Sequence, residues 1–216
     1  MQKIVLNRKV PLKASFEWLK RGFIIFREAP LQFIILTIGG TALSFLPLLG
    51  SFISPLLTAR FALLASSIER KEKISMSNLL VNLFQNRTLL QLAYVNVLFG
   101  GLIMLTEHYV VTSSILLEFS LKTMVYLLVV MIIQTFFWVS PIICEYNRDV
   151  KLWEAMLLSF EASMYNVAVM FLYGLLIVTF VLGSVVTLGI GLFVLIPVIN
   201  VSNYFIYKSF FVIENK

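Results

Sequence analysis

Few residues in this chain could carry chemistry, and they are scattered through an apolar sequence. Arg60 stands alone in the run PLLTARFALLASS. A guanidinium in hydrocarbon costs roughly 2.5–3.5 kcal/mol on insertion scales. Such a residue therefore snorkels to water, pairs with a carboxylate on a neighbouring helix, or holds a ligand or ion. Glu145 is the natural partner, because it follows Pro141 by four positions much as Arg60 follows Pro55 by five. The two would meet at similar depth if their helices are equivalent. Alternatively Glu145 simply opens the polar turn that continues with Asn147, Arg148 and Asp149. Asn96, Gln134, Asn200 and Asn203 either bond helix to helix, for about 1 kcal/mol or less each, or together line a polar cavity.

Catalytic groups are harder to assemble. His108 is the only histidine and Cys144 the only cysteine. A lone cysteine builds neither an internal disulfide nor a metal site. Glu107 adjoins His108, but no HExxH-type spacing, paired carboxylates or Gly-rich phosphate loop accompanies them. The expectation is a chain without catalytic residues, metal or cofactor.

The elements that must position these residues are set by composition. The chain has 216 residues, 60% of them hydrophobic and only 13% charged, against about 25% charged in soluble domains. Mean hydropathy is +0.95. A surface this poor in charge is apolar too, so the solvent is lipid and nucleic acid is not a partner, despite a net charge of +6. Apolar runs near the roughly 20 residues needed to cross about 30 Å of hydrocarbon fall at residues 30–47, 52–68, 89–106, 122–144, 167–184 and 188–210. The uncharged PLLGS joins the first two. Residues 107–120 are too short and polar to cross, and read as an external loop or surface helix.

Between the runs lie amphipathic segments. Leu12, Phe16, Leu19, Phe23 and Phe26 share one helical face, as do Met76, Leu79, Leu80, Leu83 and Phe84, and Trp153, Met156, Leu157, Phe160 and Met164. Each predicts a helix lying in the headgroup layer. Basic residues throughout residues 1–29 leave no apolar core for a signal peptide. With the N-terminus inside, fifteen of the seventeen Lys and Arg residues fall on the cytoplasmic side. The positive-inside rule then places both termini in the cytoplasm and Cys144 across the membrane from His108. Lys20, Arg21, Arg27, Arg70 and Lys71 would meet anionic lipid there, at about 1 kcal/mol per near-surface cation.

The predicted fold is thus all-α, a six-span transmembrane bundle with three cytoplasmic-side amphipathic helices, forming one integral membrane domain over residues 1–216. An amphipathic helix followed by two spans recurs at approximately 11–70, 75–150 and 151–212, which predicts a threefold internal repeat. The second span of each unit carries a proline, Pro55, Pro141 or Pro197. A proline frees a backbone carbonyl and bends its helix, which lipid tolerates only where protein or water covers the gap. These three spans are therefore expected to face the interior. Glycines, among them Gly39, Gly100, Gly174 and Gly183, are expected to let helices approach closely.

The segment SPIICEYNRDVKLWEAMLLSFEASMYNVAVMFLYGLL, with EWLKRGFIIFREAPLQF and LPLLGSFISPLL before it and VLIPVINVSNYFIYKSFF after it, resembles a family of uncharacterised six-span bacterial inner-membrane proteins. It is more loosely similar to the membrane domain attached to some glycerophosphodiester phosphodiesterases. The likeness covers nearly the whole chain as a pattern of spacing and residue type. It implies fold and an inner-membrane location; the phosphodiesterase barrel and its metal ligands are absent, so no activity is implied. Two functions fit. The first is a non-catalytic protein that organises a membrane-protein partner or the inner-leaflet lipids. The second is a small transporter or channel for a solute or lipid, with a polar path between spans 2, 4 and 6.

Overall fold

The computed structural model describes residues 3–72, 84–113, 121–186 and 188–214. Among them are nine helices: α1 (Ala14–Glu28), α2 (Pro30–Ser44), α3 (Pro47–Glu69), α4 (Arg87–Ser113), α5 (Leu121–Trp138), α6 (Ser140–Tyr146), α7 (Leu152–Tyr165), α8 (Val167–Val186) and α9 (Leu192–Phe210). Two four-residue strands, β1 (Lys3–Leu6) and β2 (Phe211–Glu214), complete the chain. Five segments are long and apolar enough to cross a membrane, at Leu48–Glu69, Arg87–Glu107, Thr123–Tyr146, Val167–Val186 and Leu192–Phe210. A sixth arises if α1 and α2, bent by 105° at their junction, count together. The outward faces are apolar as well: Leu98 is 72% exposed, Met131 69% and Val185 67%. Lipid suits such a surface, and water does not.

Prolines set several boundaries. Ala29 leaves helical geometry (φ −144°, ψ 55°) because the ring of Pro30 crowds the residue before it, and Pro30 then starts α2 at a position where its missing N–H costs nothing. Pro47 does the same for α3. The stretch PLLGS is therefore the first turn of α3 and not a joint, and the turn lies at Phe45 and Leu46. This leaves α2 with 15 residues, only ~22 Å at 1.5 Å per residue. Pro55 and Pro197 lie within continuous helices. At Pro141 the expected fourth span divides into α5 and α6. The helix of the third span runs on to Ser113, so residues 107–113 extend it.

Packing centres on α3, which touches α2, α4, α6 and α9 with a face of small residues, Ala59, Ala62 and Ala65. Without a hydrophobic drive between helices in lipid, such small residues allow close backbone approach. A Cβ at Gly100 of α4 would lie 2.5 Å from Ser51 Oγ of α3, and one at Gly22 of α1 would lie 2.8 Å from the Val198 carbonyl oxygen of α9. Gly39, Gly174 and Gly183 have no such neighbours within 4 Å, so the close-approach role does not extend to them. The helix α1 lies along α9, and α7 lies against α5 and α6.

The predicted apolar faces are divided between the protein interior and the exterior. In α7 the buried residues are Ala155, Met156, Ser159, Ala162 and Ser163, while Trp153 and Met164 point outward. In α1, Trp18, Leu19, Gly22, Ile25 and Phe26 are buried, while Leu12, Phe16 and Phe23 face out. With lipid outside, large apolar groups can face either way, and small residues such as Gly22, Ala155, Ser159 and Ala162 let the helices approach closely. The second amphipathic face, Met76 to Phe84, lies outside the described residues except for exposed Phe84. The strands pair antiparallel, Lys3 opposite Glu214 and Leu6 opposite Phe211, so the two ends of the described chain lie together.

Candidate functional site: a polar seam through the bundle

Arg60 on α3 and Glu145 on α6 form an ion pair, Nη1 to Oε1 3.3 Å, with side chains 2% and 3% exposed. Glu145 is thus inside the bundle and not in the turn that follows. Asn86, just before α4, completes the cluster. Its Oδ1 accepts the Leu89 N–H at 3.1 Å, capping the helix. Its Nδ2 donates to the Cys144 carbonyl at 2.8 Å and to Glu145 Oε2 at 3.3 Å. Both carboxylate oxygens therefore have partners, as a buried charge requires. The sequence held a signal for Asn86, an N-cap residue type directly before a helix, but nothing in it linked Asn86 to the expected Arg60–Glu145 pair.

Toward the β-ribbon, polar groups close the bundle in a layer. Tyr146 donates to the Ala62 carbonyl at 3.2 Å, and Asn147 donates to the Tyr207 hydroxyl at 3.1 Å. The rings of Tyr146, Tyr204 and Tyr207 stack, with centroids 6.2 Å and 5.4 Å from Tyr146. Tyr204 donates to Glu69 Oε2 at 2.8 Å, and Lys208 Nζ lies 2.8 Å from the same oxygen.

On the other side of the ion pair along α3 lie two hollows. One, of about 250 Å³, is lined by Ser51, Ser54, Asn96, Gly100, Gln134 and Phe137 among others. The second, of about 200 Å³, is lined by Ser54, Pro55, Thr58, Asn96, Gln134, Phe137, Trp138, Pro141, Ile199 and Asn203. They share Ser54, Asn96, Gln134 and Phe137, so they adjoin between α3, α4, α5 and α9, with Ser54 and Gln134 exposed at the rim. Trp138 Nε1 and Asn203 Oδ1, on the wall of the second hollow, are buried without a hydrogen-bond partner among the described residues.

The walls are shaped by broken helix ladders. Pro55 has no N–H to offer the Ser51 carbonyl one turn back, and Asn96 Nδ2 donates to that oxygen at 2.6 Å. At the α5–α6 break the Ser159 hydroxyl stands where a ladder bond would be. It donates to the Thr135 carbonyl at 2.7 Å and accepts the Val139 N–H at 3.1 Å. A side chain inserted in this way is a recognised cause of a sharp helix bend. Ser159, Ser54 and Thr58 carried no sequence signal beyond being small hydroxyl residues.

The remaining candidates lie elsewhere. Asn200 donates to the Ile196 carbonyl of its own helix at 3.0 Å and does not line either hollow. Arg21 and Arg27 are exposed, their guanidinium carbons 5.8 Å from the Phe205 ring and 6.0 Å from the Phe23 ring. Arg70 and Lys71 are also exposed and end α3 in a Schellman turn: Lys71 is left-handed at φ 59° and the Glu72 N–H bonds back to Ser67 O at 2.8 Å. Lys20 lines a separate apolar groove of about 670 Å³ with Phe16, Phe23, Phe180, Leu195 and Val198. The His108 side chain is outside the described set, and Cys144 is buried and unbridged. Asn166, not singled out in the sequence, accepts the Val10 N–H at 3.0 Å and donates to the Asn7 carbonyl at 3.1 Å, tying the N-terminal segment to the α7–α8 junction.

No family model, curated protein or solved structure matches this chain, so the functional reading rests on this geometry alone.

Proposed function

We propose that the protein is a non-catalytic membrane protein that binds a small solute in the polar space between α3, α4, α5 and α9 and lets it cross. The observation that carries this reading is the joined pair of hollows lined by Ser54, Thr58, Asn96, Gln134 and Asn203. In a bundle whose outer faces are apolar, polar groups facing a cavity are the expected signature of a solute path. The transport reading is favoured over the organising one because these side chains gather around space, although Asn96 also bonds across to the Ser51 carbonyl of α3. Proteoliposomes challenged with a panel of small solutes provide the test. Flux indistinguishable from protein-free vesicles for every solute would remove the proposal.

The topology proposed with it has six spans, both termini cytoplasmic, in a bacterial inner membrane. The β-ribbon supports an even number of crossings, since five would leave Lys3 and Glu214 on opposite faces, and they pair. Counting α1 with α2 supplies the sixth. The positive-inside distribution supports the orientation. The threefold repeat is supported by a recurring relation: α1 of the first unit lies on α9 of the third, and α7 of the third lies on α5 of the second.

The organising function keeps one specific support. An apolar groove lined by Lys20, together with the exposed cations Arg21, Arg27, Arg70 and Lys71 elsewhere on the surface, is suited to anionic lipid. If Lys20, Arg21 and Arg27 are replaced by Gln, anionic phospholipid co-purifying with the protein should fall while membrane insertion is kept.

A further inference from the structure

We propose that the guest of the polar hollow is a small uncharged molecule with both hydrogen-bond donors and acceptors, a polyol or an amide, and that ions are refused. This deepens the solute-binding reading and rests on it.

Three observations lead there. The first is charge. Among the described residues, no ionisable side chain lines either hollow. The charged pair inside the bundle, Arg60 and Glu145, is engaged with itself and with Asn86. An ion entering a site with no counter-charge sheds its hydration for nothing of comparable strength, a penalty of several kcal/mol. A neutral molecule loses only hydrogen bonds that hydroxyls and carboxamides can return.

The second is the kind of polar group. Ser54 and Thr58 bring hydroxyls, and Asn96, Gln134 and Asn203 bring carboxamides, each able to donate and to accept. Trp138 Nε1 is a buried donor and Asn203 Oδ1 a buried acceptor, neither with a partner among the described residues. Buried polar atoms in native proteins are nearly always paired. A guest bearing hydroxyl or amide groups has both halves of the match, whereas a purely accepting anion or a purely donating cation has one.

The third is size. Even taken together, the hollows of about 250 and 200 Å³ lie at the low end of the roughly 300–1,000 Å³ of pockets that take drug-sized ligands. A small molecule is matched to that space. Selectivity by width and by matched donors and acceptors is an established way to pass neutral solutes and hold back ions.

The test compares urea with guanidinium, which has nearly the same shape and carries a charge, alongside glycerol and potassium. Purified protein in proteoliposomes is followed by stopped-flow light scattering after an osmotic step. Urea or glycerol should equilibrate faster than in protein-free vesicles, while guanidinium and potassium should not. Gln134→Leu should slow the neutral solutes about three- to tenfold, the size expected for one hydrogen-bonding group, with an unchanged size-exclusion profile. Guanidinium crossing as fast as urea, or neutral flux untouched in a folded Gln134→Leu protein, would overturn the inference. The wild-type comparison decides the matter even if that variant does not fold. Ion flux without neutral flux would leave the solute path standing and remove only the choice of guest; no flux of any kind would remove both.

Discussion

Nη1 of Arg60 lies 3.3 Å from Oε1 of Glu145, joining α3 to α6 across sites separated by 85 positions in the chain. Neither side chain reaches the exterior, and Asn86 holds the second carboxylate oxygen. Removing one member strands the other charge, which costs about 3–5 kcal/mol for a buried pair. Glu145→Ala and Arg60→Ala should each lower the thermal midpoint in detergent sharply. Arg60→Met combined with Glu145→Leu should recover much of the loss, because the desolvation penalty disappears along with the attraction. A double variant no better than the worse single would show that the pair is not an isolated electrostatic unit.

Asn96 and Pro55 form a compensating pair. Asn96→Leu removes the donor to the Ser51 carbonyl and should cost on the order of 1 kcal/mol. Pro55→Ala in that background returns a ladder N–H to the same oxygen, so Asn96→Leu should do less harm there than in the wild type. A double-mutant cycle with coupling near zero would contradict this account.

The Ser159 hydroxyl serves two backbone groups at once, Thr135 C=O and Val139 N–H. Ser159→Ala should destabilise by about 1–3 kcal/mol, and hydrogen exchange should quicken around Val139. Ser159→Thr keeps the hydroxyl and should be milder. Equal exchange at Val139 in all three proteins would mean the break is held by Pro141 alone.

Gly22 marks where α1 meets α9. A methyl group there would come within 2.8 Å of a backbone oxygen, Val198 O, which cannot swing aside as a side chain can. Gly22→Ala should therefore cost about 1–3 kcal/mol, the usual range for overpacking. Gly174→Ala, with nothing within 4 Å, should be tolerated. The contrast is read from thermal midpoints of the two purified variants.

Leu6 and Phe211 are opposite each other in the ribbon. Leu6→Cys with Phe211→Cys, in a background carrying Cys144→Ala, should cross-link in membranes on mild oxidation. If an impermeant thiol reagent instead labels the two cysteines from different sides of the membrane, an even number of crossings is excluded.

Much of the architecture was legible before any coordinates. Charge scarcity and apolar runs of span length identify lipid as the solvent, and the segments from Arg87, Val167 and Leu192 lie close to the runs that marked them. Boundaries were less legible where proline acts as an initiator: PLLGS looks like a joint, yet Pro47 begins a helix. How each amphipathic face divides between protein and exterior was also hidden. In water a large apolar residue points inward, but with oil outside, Trp153 and Phe16 can point outward while Ser159 and Gly22 make the contacts.

Hydropathy and charge, summed along the chain, depend only on what each residue is, so sequence alone determined the class of protein, the crossing-capable segments and the short roster of polar residues worth watching. Which of those residues meet is a matter of helix rotation and depth, and these are set by contacts between segments tens of residues apart. The Arg60–Glu145 pair was one of two readings the sequence offered, but only the tertiary structure could choose it, add Asn86, send Asn200 back to its own helix, and gather Asn96, Gln134 and Asn203 around one space. An amide that seals a helix contact and an amide that faces a cavity are the same letter in the sequence; what separates them is whether a neighbouring helix fills the volume beside it.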